Sequence, residues 1–367
     1  NYKELRLQLM KNEICLESRS DAEILVCLLA KELGKSDDPF EALTHLSKMI
    51  EGGYAVVCLT GRGELLAFRD PRGLRPLCYG FKDEAFIVAS ESVAIDMCGG
   101  ELKGDIRPGE AFLISGRTVE RRQFAEPRRA HCMFEYVYFS RPDSVIEGIP
   151  VYDARVKLGE NLARSYHTNV DVIVPVPDTS RPAAEGASRV SGVLVEEGLI
   201  KNRYIHRTFI MPEQRRRETA VKAKLNAMKS VVKGKRVLLI DDSLVRGTTL
   251  KRIVNMVKDA GAKEIHVRLT CPPIISPCFY GIDIATHHEL IASKNSVEEI
   301  RKTIGADSLG YQTLDGLIEA IGLKRDDMCF SCLTGNYQTP KAQEISDTMK
   351  DKIATQEERV RYIEVGT

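Results

Sequence analysis

The sequence has almost no net charge: 53 Lys and Arg stand against 52 Asp and Glu, leaving +1 with histidine neutral. Such a balance gives no global field to attract nucleic acid or a membrane, so electrostatic recognition has to be local. Apolar runs long enough to span a bilayer are missing, and so is a charged-then-apolar start of the signal-peptide kind, so a soluble cytoplasmic protein is expected. Internal repeats and low-complexity segments are absent as well. What is there is a chain of 367 residues, 43% hydrophobic and 29% charged, enough for two globular domains. Its ten cysteines, in a reducing cytosol, belong more often to free, metal-bound or cluster-bound thiols than to disulfides.

Residues 1–128 read as one helix near the start followed by short strands: YAVVCL (54–59), LLAFRD (65–70), AFIVAS (85–90) and EAFLIS (110–115). Gly, Asp and Pro separate them, which predicts an antiparallel arrangement. Over 129–340 the pattern changes to strand, helix, strand. VDVIVPVP (170–177), a helix after Arg181, RVLLID (236–241), a helix over 249–260 and EIHVRLT (264–270) predict an α/β unit with a parallel sheet. Residues 341–367 are charged and helix-prone, and a peripheral arm is expected there.

The most informative stretch is VLLIDDSLVRGTTL, 237–250. Val237–Ile240 is apolar at every position, as in a strand covered by helices on both faces. It runs into Asp241 and Asp242 at the carboxyl end, where open α/β sheets bind ligands. Ser243, Gly247, Thr248 and Thr249 then lead into a helix whose free N–H groups form an anion site. This loop matches neither G-x-x-x-x-G-K-[ST] nor G-x-G-x-x-G. The carboxylates would repel a polyphosphate, yet they can accept hydrogen bonds from a ribose diol and hold Mg²⁺. A ribose carrying a 5-phosphate and a magnesium pyrophosphate satisfies all of these groups. A solvated turn or helix cap is the plainer alternative for an Asp pair.

LLIDDSLVRGTT resembles the phosphoribosylpyrophosphate (PRPP) signature of type I phosphoribosyltransferases. That resemblance assigns Asp241 and Asp242 to ribose and Mg²⁺, and Ser243 to Thr249, with Arg246, to the 5-phosphate. VIVPVPDTS (172–180) then corresponds to the pyrophosphate loop, with Asp178, Thr179 and Ser180, and Thr179 near Mg²⁺. Between these strands, residues 201–226 carry eight Lys or Arg against Glu213 and Glu218, a local +6. With only Tyr204 and Phe209 to stack bases, a lid over a polyanion is favoured over single-strand nucleic-acid binding. Lys201, Arg203, Arg207 and Lys224 are its candidate contacts. Closure would exclude water while charge develops on the ribose and the leaving pyrophosphate.

FEYVYFSRPDS (134–144), KNRYIHRTFIMP (201–212) and YGIDIATHHELIAS (280–293) are similar to glutamine PRPP amidotransferases, with the match running to about Thr339. The resemblance implies a type I phosphoribosyltransferase fold preceded by part of an N-terminal-nucleophile glutaminase domain, an antiparallel β-sandwich with helices. It implies formation of 5-phosphoribosylamine, glutamate and pyrophosphate from PRPP, glutamine and water, with ammonia passed internally. Homo-oligomers, dimers or tetramers, inhibited by purine nucleotides are expected too. SRSDAEIL (18–25) matches the segment whose Asp21 is expected to hold glutamine; a helix cap is its plainer role. Members of that family begin with a processed catalytic Cys followed by Gly-Ile, whereas this chain opens on NYKELR, which resembles the stretch just after the family's later Asn-Gly pair. The expectation is therefore that the glutaminase nucleophile is not in this sequence and that about a hundred residues precede it in the full-length protein.

CFSC, 329–332, is a C-x-x-C that zinc sites, redox pairs and iron-sulfur ligands share. The resemblance adds Cys132 and Cys278 and implies a [4Fe-4S] cluster on Cys132, Cys278, Cys329 and Cys332. Four thiolates suit zinc equally well on softness alone. Two rival readings are a base-using phosphoribosyltransferase and a PRPP-sensing transcriptional regulator, though the strand-rich residues 54–115 leave little room for a DNA-binding domain.

Overall fold

The computed structural model describes residues 1–18, 20–202, 225–284 and 286–354. Three helices, Tyr2–Lys11, Asp21–Leu33 and Pro39–Met49, precede the first strand, where the sequence suggested one. Each presents a short apolar stripe: Leu5 and Leu9, then Ile24, Leu28 and Leu29, then Phe40, Leu43 and Leu46, all buried in one cluster with Leu66, Phe68 and Ala111. Ser20 and Asp38 cap the second and third by accepting backbone N–H groups.

The strands behind these helices form a four-stranded antiparallel sheet from Ala55–Leu59, Leu65–Arg69, Glu110–Ser115 and Thr118–Gln123, in that order. A second antiparallel sheet places Cys78–Lys82 between Ala85–Ala89 and Glu101–Asp105. Ala67 and Phe112 of the first meet Leu77, Ile106, Tyr79 and Phe86 of the second. Tyr79 stacks on Phe86 at 5.7 Å and tilts against Phe112 at 4.8 Å. This is the expected sandwich, with the three N-terminal helices on the first sheet and helix Ser92–Met97 on the second.

The second half is a parallel sheet ordered Val172–Pro175, Arg236–Asp241, Glu264–Leu269, Ser308–Tyr311. The central strand is buried on both sides, which accounts for its unbroken apolar run. Val237 and Leu239 face the cluster containing Ile253, Val254 and Val257 of helix Thr248–Asp259, while Leu238 and Ile240 face Ala183, Ala184 and Ala187 of helix Arg181–Ser191. Helix Val151–Ser165 lies on helix Arg181–Ser191 at very close range, through Gly159 and Gly186.

Polar groups join the halves. Arg69, fully buried, donates to Glu147 Oε1 at 2.6 Å, to the carbonyls of Arg75 at 2.6 Å, Ile106 at 2.9 Å and Gly73 at 2.9 Å, and lies 3.3 Å from His131 Nδ1. Beside this node, burial and the Glu147 charge push Asp105 up to about 7. The unfolded-state value is about 3.9. The folded state therefore holds a proton that the unfolded state releases, so this contribution to stability is present below about pH 4 and is lost as pH rises through 7. Asp105→Asn is expected to raise the urea midpoint at pH 8 and leave it nearly unchanged at pH 4; equal shifts at both pH values would contradict this.

The tail begins as helix Pro340–Ala354, in which Ala342, Ser346 and Met349 are buried. The backbone N–H of Lys341 donates to Glu51 Oε2 at 3.1 Å and its ammonium pairs with Glu4 at 2.5 Å, so this part of the tail packs against the first half rather than standing apart. Among the described residues no helix is long and apolar enough to cross a membrane.

Candidate functional site

The carboxyl end of the central strand brings together the two segments singled out from the sequence. Asp242 accepts from Thr179 Oγ1 at 2.6 Å, across 63 positions of chain, and from Ser243 Oγ at 2.7 Å, so each of its oxygens has one hydroxyl partner. Asp241 accepts the backbone N–H of Asp242 at 2.9 Å. The pair's own carbonyls accept from Thr270 N at 3.0 Å and Cys271 N at 2.9 Å, which fixes the backbone beneath the acids. Burial, joined by the Asp242 charge, pushes the Asp241 carboxyl up, and burial does the same for Asp242 against the hydroxyls and Arg155. Asp241, buried, and Asp242, partly buried, thus stand side by side at the end of the strand.

Ser180, buried at the start of helix Arg181–Ser191, makes no hydrogen bond of ordinary geometry, yet it lies close enough to Asp241 to favour that acid's charged form. The Pro177–Asp178 peptide bond is cis. Asp178 pairs with Arg181 at 2.8 Å and Lys201 at 3.0 Å; burial opposes its charge, but these cations keep its carboxyl below the usual range. Lys201 is thus next to the pyrophosphate-loop candidates. Arg203, Arg207 and Lys224, with the basic stretch between, lie outside the described residues.

On the other side of the acids, Gly247 adopts φ +78° and opens helix Thr248–Asp259 with no side-chain cap, so its first N–H groups stay open to an anion. A Cβ at Gly247 would come within 2.8 Å of Ile291 Cδ1. Thr248 and Thr249 are exposed, Ser243 is partly buried, and Arg246 reaches back to pair with Glu289 at 2.9 Å. Asp21 is exposed in the first turn of helix Asp21–Leu33; Ser20, not Asp21, accepts as the cap, and Asp21 Oδ1 takes the neighbouring Ala22 N–H at 2.9 Å.

The four cysteines converge. His131–Cys132 and Met328–Cys329 form a two-residue parallel pair in which Cys132 stands opposite Cys329. Cys132, Cys278, Cys329 and Cys332 line one small pocket with Leu74, Arg75, Tyr280, Ile282 and Ser331. Burial raises all four thiols, Cys329 to about 11, and the neighbouring thiols add to the rise at Cys132, Cys329 and Cys332. Among the described residues no group of three or more His, Cys, Asp or Glu is set to hold a metal ion on its own.

Three residues at or beside the site carried no signal that the sequence reading used. Arg181 and Glu289 act as ion-pair partners and look like ordinary surface charge. Arg155 did offer a clue: with Val151, Leu158, Gly159 and Leu162 it falls on the buried stripe of its helix, where an Arg is out of place.

Residues 1–97 match the glutamine amidotransferase domain family and residues 151–273 the phosphoribosyl transferase domain family. The amidophosphoribosyltransferase of Methanothermobacter thermautotrophicus is 49% identical over 348 residues, covering 95% of this chain and 73% of that protein. The structure of Bacillus subtilis glutamine PRPP amidotransferase in complex with ADP and GMP superposes with TM-score 0.84 at 44% identity, covering 92% of this chain and 74% of that one. A structure described as the allosteric regulatory enzyme of purine biosynthesis gives TM-score 0.85 at 43% identity, over 92% and 73%. With both domain families matched and nearly half its residues shared with such relatives over most of its length, the chain belongs to the amidophosphoribosyltransferases.

Proposed function

We propose that this chain binds PRPP with Mg²⁺ across the carboxyl ends of strands Val172–Pro175 and Arg236–Asp241 and transfers ammonia to its anomeric carbon. Pyrophosphate leaves and 5-phosphoribosylamine forms, the first step of purine biosynthesis. The observation that carries this reading is the Thr179 hydroxyl bonded to Asp242 at 2.6 Å, which closes the pyrophosphate loop onto the acid pair. Asp241 and Asp242 accept the ribose hydroxyls, the N-terminus of helix Thr248–Asp259 with Ser243, Arg246, Gly247, Thr248 and Thr249 holds the 5-phosphate, and Asp178, Thr179 and Ser180 face the pyrophosphate. Lys201, and from the basic segment Arg203, Arg207 and Lys224, close over it and keep water from the ribose. Asp241, Asp242 and Thr179 would hold Mg²⁺ together with the substrate. The metal's chemistry there is to neutralise the departing pyrophosphate.

Glutamine is the proposed ammonia source, with Asp21 holding its amino group, and purine nucleotides the proposed inhibitors. A cytoplasmic homo-oligomer, dimer or tetramer, is the proposed state. Pyrophosphate release from PRPP should require Mg²⁺ and proceed with ammonium chloride; an inactive chain under those conditions would refute the transferase reading, and the same assay with glutamine tests the amidotransferase half.

Cys132, Cys278, Cys329 and Cys332 line one pocket; four thiolates suit a polynuclear centre and a single ion equally on softness, and the family resemblance favours the polynuclear one. We therefore assign Cys132, Cys278, Cys329 and Cys332 to a [4Fe-4S] cluster, which ties the start of the transferase half to its end. Anaerobically purified protein is expected to contain about four iron and four sulfide per chain, and Cys329→Ser to lose them. Stoichiometric zinc without sulfide would contradict the assignment.

A further inference from the structure

The loop that follows the acid pair is anchored on one neighbouring segment. The Val245 carbonyl accepts the Ile291 backbone N–H at 2.9 Å, Leu244 is buried in the cluster on which Ile291 packs, and Val245 packs on the cluster that buries Leu290. Beside these anchors stands Arg246, a side chain about half exposed, whose Nη2 pairs with Glu289 Oε1 at 2.9 Å. Glu289 belongs to a turn that is itself fixed: its N–H donates to the Thr286 carbonyl at 3.2 Å, and Ser293 Oγ donates to the carbonyls of His287 and Leu290 at 2.8 and 2.7 Å. The other carboxylate oxygen of Glu289, Oε2, is buried and has no hydrogen-bond partner among the described residues.

Glu289 could serve the loop in two opposite ways, by holding Arg246 ready for a phosphate or by holding it back. An exposed ion pair is weak, so holding back would hinder a ligand little. The buried oxygen decides between them. Arg246 is the only cation paired with this carboxylate among the described residues, and a guanidinium that left for a phosphate would strip Glu289 of that partner while one oxygen is already shut away from water. The pair need not break, since it occupies one nitrogen of a group with several N–H donors. The rest of the guanidinium can meet a phosphate oxygen while Nη2 stays on Glu289. Without that tether the ligand itself would have to order a long, flexible side chain; on Glu289 much of the ordering is done beforehand.

We propose that Glu289 is a positioning residue for the 5-phosphate: it fixes the guanidinium of Arg246 just ahead of Gly247 and helix Thr248–Asp259, so that a side-chain cation and backbone N–H groups converge on the same phosphate. This rests on residues 243–249 being the 5-phosphate loop of the PRPP site. It also gives a reason for an acid at a place that must attract an anion, since a carboxylate acting on the phosphate directly would only repel it.

The probe is ribose 5-phosphate, which carries the phosphate without the pyrophosphate, titrated calorimetrically into the full chain with magnesium pyrophosphate as the control ligand and thermal unfolding as the check on folding. Glu289→Ala is expected to weaken ribose 5-phosphate binding by about fivefold and to leave pyrophosphate binding unchanged, while Glu289→Gln, which keeps an acceptor for Nη2, recovers most of the loss. Arg246→Ala is expected to weaken ribose 5-phosphate by about tenfold, and adding Glu289→Ala to it to weaken binding no further, because Glu289 acts only through Arg246. Parent-like or tighter binding of ribose 5-phosphate in Glu289→Ala overturns the proposal, whether or not the unfolding temperature falls. So do equal weakening of pyrophosphate, Gln no better than Ala, and losses that add in the double variant. If the parent does not bind ribose 5-phosphate, or Arg246→Ala binds it as the parent does, the phosphate-loop reading fails and the role with it; a normal Glu289→Ala beside a weakened Arg246→Ala removes only the role of Glu289.

Discussion

Asp242→Asn is expected to lower kcat/KM for PRPP by on the order of 10²–10³-fold, with little change in fold. An amide of the same shape offers one accepting oxygen, while both Thr179 and Ser243 donate to this side chain. One hydroxyl must turn away, and the charge facing Mg²⁺ is gone. Asp241→Asn should affect turnover as severely but move stability in the opposite direction. Burial and the neighbouring acid raise the Asp241 carboxyl well above its ordinary range, so ionising it in the ligand-free chain works against folding as pH rises above about 4. Neutralising it is expected to raise the melting temperature at pH 7.5 while turnover collapses, a trade between stability and activity usual at binding sites. Parallel loss of both would show that the acid pair is a structural element instead.

Gly159→Val is expected to destabilise the chain by about 3 kcal/mol or more, measured by urea unfolding. Two effects compete at this position. Replacing a helical glycine gains up to about 1 kcal/mol of helix propensity in an exposed helix. Here a Cβ would stand 1.8 Å from the Ala183 carbonyl oxygen, and at Gly186 2.0 Å from that of Val156, in both cases against backbone that cannot swing aside. The clash dominates, and the helices must separate. Because helix Arg181–Ser191 starts at the pyrophosphate loop, any folded Gly159→Ala protein should also show a higher KM for PRPP. A Gly159→Val protein as stable as the parent would mean that the two helices are not in contact as described.

How much of this was legible in the sequence follows from what each residue faces. Val237–Ile240 was readable because a strand covered on both sides has no polar face, and the acids stood out by following it directly. The strand Thr118–Gln123 was missed for the opposite reason: as an exposed edge with charged residues on both faces, it shows no alternation. Ser308–Tyr311 is short and carries a glycine, so nothing in it marks the fourth parallel strand. Helix Tyr2–Lys11 buries only Leu5 and Leu9, too few to show a period.

At the site, the loops after both strands were found, while the interactions that set their charge were not. Thr179 and Asp242 are far apart in sequence, and only the parallel pairing of Val174 with Leu239 and Pro175 with Ile240 brings the two strand ends together. Cys132 meets Cys329 through strands of two residues each, below the length at which periodicity means anything. The [4Fe-4S] set came from family resemblance, and the geometry adds the shared pocket.

The most direct test of the whole account is calorimetric titration of PRPP into the chain with Mg²⁺ and with EDTA, for the parent and for the Asp241→Asn, Asp242→Asn double variant. The account predicts that the parent binds at least about tenfold more tightly with Mg²⁺ and that the double variant shows neither the binding nor the metal dependence. Parent-like affinity and parent-like response to Mg²⁺ in the folded double variant would contradict it.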